Sequence, residues 1–158
     1  MYRILLFDDR PQVRIPLEEI FKSNDMEVFS CKSVYEANDV WEEHKDKLDA
    51  IVFDMMIPSS GIDEPLRTKT KGGLLSGWIW FWNILNQKNE NPHPAADKCI
   101  IIFSAYLKDF EAYINSSQSS EEEKEFVNRV KQIPKDYSNK ENLVIKYLIH
   151  DRIQRGKS

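Results

Sequence analysis

The sequence predicts an α/β fold, a doubly wound five-stranded parallel sheet with helices on both faces. Short apolar runs alternate along the chain with longer stretches of helical periodicity, which is typical of repeated βα units. Runs such as ILLF, AIVF and IIIF contain no polar positions, as expected for strands that are buried on both faces. We expect the strands at residues 4–7, 28–31, 50–53, 100–103 and 130–133.

Helix starts are marked by a serine followed three residues later by a glutamate, the pattern of a capping box. The first helix is less regular because Pro16 falls inside a helix that would begin at Pro11, so we expect a kink or a late start there. The three capping pairs are Ser33 with Glu36, Ser119 with Glu122, and Ser138 with Glu141.

A tryptophan-rich helix is predicted over residues 74–85 and carries more apolar residues than one core-facing stripe needs. Ile79, Trp80 and Ile84 lie off that stripe on a second apolar face. We favour a neighbouring loop as the cover of this face, with a partner site as the alternative. The predicted core stripe is Leu74, Trp78, Phe81, Trp82 and Leu85.

Composition indicates one domain spanning residues 1–158, since a chain of 158 residues can bury a core of its own. The net charge of −4, with both signs interspersed, argues against a nucleic-acid-binding surface. Cys31 ends a predicted strand and Cys99 directly precedes one, and both are expected to be reduced thiols. No apolar stretch is long enough for a membrane span or a signal peptide. We therefore expect a soluble cytoplasmic protein.

Polar residues follow four of the predicted strands, at the edge where ligands bind in sheets of this kind. Asp8 and Asp9 follow the first strand, Asp54 the third, Ser104 the fourth and Lys135 the fifth. Two carboxylates about 4 Å apart repel by roughly 4 kcal/mol at an effective dielectric constant of about 20, so the cluster needs a cation. Mg²⁺, which prefers oxygen ligands, meets that need. The lysine can neutralise the remaining charge, and the serine can donate a hydrogen bond to an oxyanion.

Each of these residues also has a structural explanation when taken alone. Acids at a strand end are more often helix caps than metal ligands, and a lone serine or lysine is usually a solvated loop residue. Their joint occurrence, in order at four strand ends, favours a functional site. His44, His93 and His150 form no metal-ligand pair and are expected to be structural or solvated.

Four stretches of the chain resemble the receiver domains of bacterial response regulators. ILLFDD is similar to their first strand, AIVFDMMIP to the phosphoacceptor strand with its trailing proline, IIIFSA to the strand of the switch hydroxyl, and IPKD to the lysine strand. The resemblance implies the flavodoxin-like strand order 2-1-3-4-5. It implies that Asp54 accepts the phosphoryl group and that Ser104 and Lys135 bind the phosphoryl oxygens. The implied Mg²⁺ ligands are Asp8, Asp9, Asp54 and the backbone carbonyl of Met56.

The implied function is that of a phosphoacceptor in a two-component or phosphorelay system, not of an enzyme that turns over a substrate. The phosphoryl group would come from a phosphohistidine by in-line transfer, catalysed by positioning and charge neutralisation. The implied partners are a sensor histidine kinase or phosphotransfer protein and a downstream protein target. A homodimer, and excision from a longer regulator, are left open.

The chain departs from the receiver pattern in three places. The glycine that usually lies four residues after the proline is here Gly77, nineteen positions after Pro58, so the loop at residues 59–75 is an insertion. Gln132 stands where an aromatic switch residue is usual, and Asp136 where a proline follows the lysine. These changes leave the phosphorylation chemistry in place but call the conventional hydroxyl–aromatic switch into question.

The insertion is expected to act as a lid or docking loop at the rim of the acidic site. It carries the cations Arg67, Lys69 and Lys71, and glycines flank its centre. We expect it to pack partly on Ile79, Trp80 and Ile84, with its basic stretch facing solvent or the site. The alternative is a disordered loop whose charges only maintain solubility.

Two other functions remain open at this level. A receiver-fold binding module could signal to a partner without being phosphorylated. An aspartate-nucleophile phosphohydrolase usually has a second acid two residues after its nucleophile, and Met56 occupies that position here.

Overall fold

A computed structural model of the protein describes residues 1–136 and 140–157. The five strands form one sheet in the order β2-β1-β3-β4-β5, and every pair of neighbouring strands is parallel. The predicted fold class and strand order are therefore confirmed. The strands are β1 (Tyr2–Phe7), β2 (Met26–Cys31), β3 (Ala50–Phe53), β4 (Cys99–Ser104) and β5 (Lys131–Pro134).

Helices connect successive strands, and the two longest crossovers contain more than one. The segment between β3 and β4 holds two short helices, the second of which continues into a π-helical turn at Trp80–Ile84. The helices are α1 (Pro11–Ser23), α2 (Val34–His44), α3 (Leu66–Lys69), α4 (Ser76–Ile79), α5 (Leu107–Ile114), α6 (Glu121–Val127) and α7 (Glu141–Gln154). No helix in the described ranges is long and apolar enough to cross a membrane.

The strand register aligns the carboxyl ends of the three central strands. Phe7 pairs with Cys31 on one side and with Phe53 on the other, and Phe53 pairs with Ile102 of β4. The residues that follow Phe7 and Phe53 therefore emerge side by side at one edge of the sheet. This edge is where the sequence predicts the functional site.

Alternate residues of the strands enter two separate apolar cores. Phe7, Ile51 and Phe53 pack with α2, α4, α5 and α6 on one face. Leu6 and Val52 pack with α1 and α7 on the other face. Burying a large apolar side chain stabilises the fold by about 1.5–3 kcal/mol. Two buried faces explain why the strand sequences lack polar alternation.

Trp80 lies on the sheet side of its helix, contrary to the expectation that the insertion covers it. Its ring meets Phe7 edge-on at 5.1 Å between centroids and Phe53 at 5.9 Å. Its indole nitrogen donates a hydrogen bond to Asn38 Oδ1 of α2 at 2.9 Å. The prediction was wrong because this helix is enclosed on more than one side: Trp78 faces Phe110 of α5, while Trp80 faces the sheet and α2.

The helix starts agree only in part with the predicted capping pairs. Ser33 caps α2 and accepts a hydrogen bond from the amide of Glu36, but the Glu36 side chain accepts from Lys32 instead of closing the box. The complete box of α6 is formed by Ser120 and Glu123, one residue later than predicted. Tertiary contacts select this register, because Glu123 is buried and accepts hydrogen bonds from two distant aromatic side chains.

Two other predicted starts have different outcomes. The α1 helix begins at Pro11 and contains Pro16, so of the two expected outcomes, a kink or a late start, the late start is excluded. A proline at the first helical position is well tolerated, since the missing N–H has no helical partner there. Ser138 lies outside the described residues, and α7 begins at Glu141.

The insertion packs against the domain over part of its length. Ile62 is buried, and Leu66 is half-buried against the core that also contains Ile79. Gly61 lies close to α2: a Cβ placed on it would be 3.2 Å from the Val34 Cβ. The three cations of the insertion are all exposed, as the solvent-facing alternative requires: Arg67, Lys69 and Lys71.

Candidate functional site

The first residue after β1 and the first after β3 are buried aspartates. Asp8 and Asp54 are each 2% exposed. The amide of Asp8 donates to the Cys31 carbonyl at 3.1 Å, and the amide of Asp54 donates to the Phe7 carbonyl at 3.1 Å. Sheet-type hydrogen bonding therefore continues one residue beyond each strand, and it fixes the two carboxylates next to each other.

Lys135 joins these two carboxylates. Its ammonium group donates hydrogen bonds to Asp8 Oδ2 at 2.6 Å and to Asp54 Oδ2 at 2.8 Å. Its backbone amide donates to the Ser104 carbonyl at 3.0 Å, which holds the residue after β5 against the end of β4. With one cation between two buried anions, the group retains a net negative charge.

Two carboxylate oxygens in this group lack a hydrogen-bond partner among the described residues. They are Asp9 Oδ1 and Asp54 Oδ1, and both are buried. One oxygen from each of Asp8, Asp9 and Asp54 can be chosen so that the three lie within 4.8 Å of one another. Burying a charged oxygen without a partner is costly, and a cation bound between them removes that cost. An all-oxygen donor set of this kind fits Mg²⁺.

The three aspartates are not equally free to bind a metal ion. Both oxygens of Asp8 are engaged, Oδ1 by the Arg10 amide at 2.9 Å and Oδ2 by Lys135. Asp9 and Asp54 each retain an oxygen without a partner. Burial raises the pKa of Asp8 above its usual value, although the charge and hydrogen bond of Lys135 partly offset this effect. Asp9 and Asp54 are therefore better placed than Asp8 to coordinate a cation directly.

Ser104 ends β4 with a fully buried side chain. Its hydroxyl oxygen accepts a hydrogen bond from the Tyr106 amide at 3.1 Å, just before α5 begins. The hydroxyl hydrogen donates to no acceptor among the described residues and can serve an incoming oxyanion. Ser104 thus connects the site edge to the start of α5.

The loop that follows Asp54 is held by the start of α4. The amide of Gly77 donates to the Met55 carbonyl at 2.7 Å. A Cβ on Gly77 would lie 1.9 Å from the Asp54 carbonyl oxygen, so only glycine fits here. Met56 is exposed, and its carbonyl accepts no hydrogen bond from the described residues. That carbonyl therefore has coordination capacity to offer.

Two features near the site were not foreseen. The guanidinium group of Arg14 donates to the Asp8 carbonyl at 3.0 Å, so α1 also anchors the acidic loop. Only the closeness of Arg14 to Asp8 in sequence could have suggested this contact. The side chain of Glu123 accepts hydrogen bonds from Trp78 and Tyr113, which link α6 to α4 and α5. This role was missed because the capping box was predicted one residue too early in the sequence.

Two of the three histidines, His44 and His93, make structural contacts, as expected. His93 is buried, with Nε2 donating to the Phe81 carbonyl at 2.9 Å and Nδ1 accepting from the Ala95 amide at 3.0 Å. This pattern requires the neutral ring. His44 stacks on Phe29, with 4.1 Å between ring centroids.

The chain matches no protein-family model and no curated relative. Solved structures do match it. A response regulator receiver domain protein from Clostridium thermocellum aligns with a TM-score of 0.59 at 16% identity, covering 99% of this chain and 97% of that one. The chemotaxis protein CheY4 of Vibrio cholerae gives a TM-score of 0.59 at 15% identity, covering 95% and 98%.

A third match was solved with bound ligands. The response regulator TrrA of Thermotoga maritima, in complex with Mg²⁺ and BeF, aligns with a TM-score of 0.52 at 20% identity, covering 94% of this chain and 99% of that one. Identities at this level establish the fold and leave the activity to be argued from the residues. Over nearly its whole length, this chain has the fold of response-regulator receiver domains.

Proposed function

We propose that this protein is a phosphoacceptor receiver domain of a two-component or phosphorelay system, which takes a phosphoryl group on Asp54. The supporting observation is the environment of the Asp54 carboxylate. One of its oxygens is held by Lys135 at 2.8 Å, while the other is buried without a described partner. A carboxylate fixed by one oxygen and free at the other is oriented to react or to coordinate.

The residues around Asp54 divide the chemistry among them. An Asp54 oxygen attacks phosphorus and forms an O–P bond as the P–N bond of a phosphohistidine breaks. Lys135 neutralises charge on the transferred group, and the Ser104 hydroxyl donates to one of its oxygens. Asp9, Asp54 and the Met56 carbonyl would hold Mg²⁺, with Asp8 supporting them. When bound, Mg²⁺ supplies the positive charge that the phosphoryl oxygens require.

The proposed partners follow from this chemistry. A sensor histidine kinase or a phosphotransfer protein would supply the phosphoryl group, and a downstream protein would respond to it. Solved structures similar to this chain include the receiver domain of the hybrid histidine kinase CckA and a beryllofluoride-activated NtrC4 receiver domain dimer. The role we propose is cytoplasmic signalling without turnover of a substrate, and a homodimer remains open for this protein.

A second candidate function is a receiver-fold binding module that signals without phosphorylation. The observation in its favour is Gln132, which is exposed on β5 in the position where an aromatic switch residue is expected. An aspartate-nucleophile phosphohydrolase is disfavoured, because Met56 occupies the position of its general acid.

Labelling by a small phosphodonor tests the proposal. Acetyl phosphate with Mg²⁺ should add one phosphoryl group to the wild type, detected by intact mass, and Asp54→Asn should abolish this labelling. Asp49→Asn is a matched control, since Asp49 is a buried carboxylate that precedes β3, at the opposite edge of the sheet from Asp54. That variant should still be labelled. If acetyl phosphate and phosphoramidate both fail with the wild type, the binding module becomes the better assignment.

A further inference from the structure

The carboxylate of Glu123 is a buried junction of three segments outside the acidic site. The residue lies on α6 and is 5% exposed. Its Oε1 accepts hydrogen bonds from Trp78 Nε1 at 3.0 Å and from the Tyr113 hydroxyl at 2.8 Å. Its Oε2 accepts from the Ser120 amide at 2.6 Å. One side chain thus ties the start of α6 to α4 and to α5.

The α4 end of this junction adjoins the loop that carries Asp54. Trp78 follows Gly77, whose amide donates to the Met55 carbonyl at 2.7 Å. The approach of Gly77 to the Asp54 carbonyl leaves no room even for a methyl group. Trp78 is fully buried, and its ring lies 4.9 Å from that of Phe110 between centroids. A shift of α4 must therefore displace the Asp54 backbone or break the Gly77 hydrogen bond.

We propose that Glu123 is a positioning residue for the phosphoacceptor loop, acting through Trp78 and Gly77, and this inference rests on the proposed function of Asp54. Losing a hydrogen bond to a buried carboxylate leaves the partner group unsatisfied, so it frees α4 appreciably. A misplacement of about 1 Å at a reacting group can reduce its rate on the order of a hundredfold. The fixed position of α4 therefore sets the geometry that Asp54 and Met56 present to Mg²⁺.

Two variants weaken the link from Glu123 through Trp78 to Gly77, and two control variants leave this link intact. Glu123→Gln weakens the junction at the acceptor, and Trp78→Phe removes one donor while keeping an aromatic ring. Glu122→Gln removes an exposed charge from the neighbouring position of α6. Leu148→Ala opens a cavity in the core on the other face of the sheet, and so lowers global stability without touching the path.

Two measurements separate positioning from mere stability. Amide hydrogen exchange in Mg²⁺-free protein reports on the Gly77 N–H, and calorimetric titration gives the Mg²⁺ affinity. We expect Glu123→Gln and Trp78→Phe to speed Gly77 exchange by about tenfold or more relative to core amides of the sheet. We expect both to weaken Mg²⁺ binding several-fold. Glu122→Gln should match the wild type in both measurements, and Leu148→Ala should match it in Mg²⁺ affinity.

Wild-type Gly77 exchange in both test variants would overturn the inference. So would faster exchange with wild-type Mg²⁺ affinity, since Glu123 would then stabilise α4 without positioning the site. If Glu123→Gln fails to fold, Trp78→Phe decides the question alone. If the wild type binds no Mg²⁺ and takes no phosphoryl group, the proposed function fails. In that case Gly77 exchange alone decides whether Glu123 positions this loop.

Discussion

Lys135 and Asp8 form a buried ion pair of 2.6 Å between residues that lie 127 positions apart in sequence. The pair engages one Asp8 oxygen, and the Arg10 amide engages the other. Asp8 is thereby held as a support for the acidic loop, while Asp9 keeps a buried oxygen without a described partner. The neighbouring acids are therefore expected to respond differently to substitution.

Asp9→Asn should weaken Mg²⁺ binding by at least about tenfold, and Asp8→Asn by less. The reason is that Asp9 offers a free oxygen, whereas both Asp8 oxygens are already engaged. Titration of Mg²⁺ against tryptophan fluorescence measures this, because Trp80 packs on Phe53, the residue before Asp54. Asp9→Asn should also stabilise the metal-free protein by relieving repulsion. Equal Mg²⁺ affinity in wild type and Asp9→Asn would contradict the assignment.

Lys135→Met should lower the free energy of unfolding by about 3–5 kcal/mol at neutral pH, because it leaves two buried carboxylates without their cation. The side chains of Asp8 and Asp54 are 3% and 1% exposed, so solvent can compensate little. Urea denaturation measures the loss, and added Mg²⁺ should restore part of it. A variant as stable as the wild type would mean that the carboxylates are relieved in another way.

Gly77→Ala should destabilise the protein by about 1–3 kcal/mol or more and weaken Mg²⁺ binding, since its Cβ would lie 1.9 Å from the Asp54 carbonyl oxygen. Gly72→Ala is the control. No atom lies within 4 Å of its Cβ position, but its φ of +71° strains any other residue. That variant should lose about 1 kcal/mol of stability and keep the wild-type Mg²⁺ affinity. If the two variants bind Mg²⁺ equally well, the close approach of α4 does not control the site.

His93 should make stability depend on pH. Burial lowers its pKa below the ordinary value of 6.5, so the unfolded chain binds a proton at a higher pH than the folded protein does. Its contribution is therefore fully present above pH 6.5 and is lost as the pH falls below that value. Unfolding free energies measured between about pH 7.5 and 5.5 should fall more steeply for the wild type than for His93→Gln. Parallel curves would show that His93 does not titrate on unfolding.

Much of the fold was predictable because it depends on local patterns that tertiary contacts reinforce. The strand sequences do not alternate because both faces of the sheet are buried. The ends of β1 and β3 are marked by the aspartates that follow Phe7 and Phe53. The sequence alone predicts the two aspartates at these ends, Asp8 and Asp54. Parallel strands bring their carboxyl ends to one edge whatever the helices do.

The parts that the sequence could not predict depend on distant contacts. Trp80 packs against Phe7 of the sheet and Trp78 against Phe110 of α5, and helical periodicity cannot tell which neighbour covers which side. The register of the α6 cap depends on Trp78 and Tyr113 contacting Glu123, which lies 45 and 10 residues away from them. Contacts of this kind have no local signature.

Replacing residues 60–72 with a short Gly-Ser linker should change the phosphorylation or dephosphorylation rate of Asp54 and promote self-association. The replaced segment includes the buried Ile62, so its loss exposes apolar surface beside α2 and α4. A triple variant with Arg67, Lys69 and Lys71 changed to glutamine is the matched control, since these exposed cations can be neutralised while the packing is kept. Labelling kinetics and size-exclusion chromatography measure both effects.

Rates altered in both proteins would assign the effect to the charges, and rates altered only by the replacement would assign it to the packed loop. Unchanged rates and an unchanged oligomeric state in the replacement would leave the insertion without a role at this site.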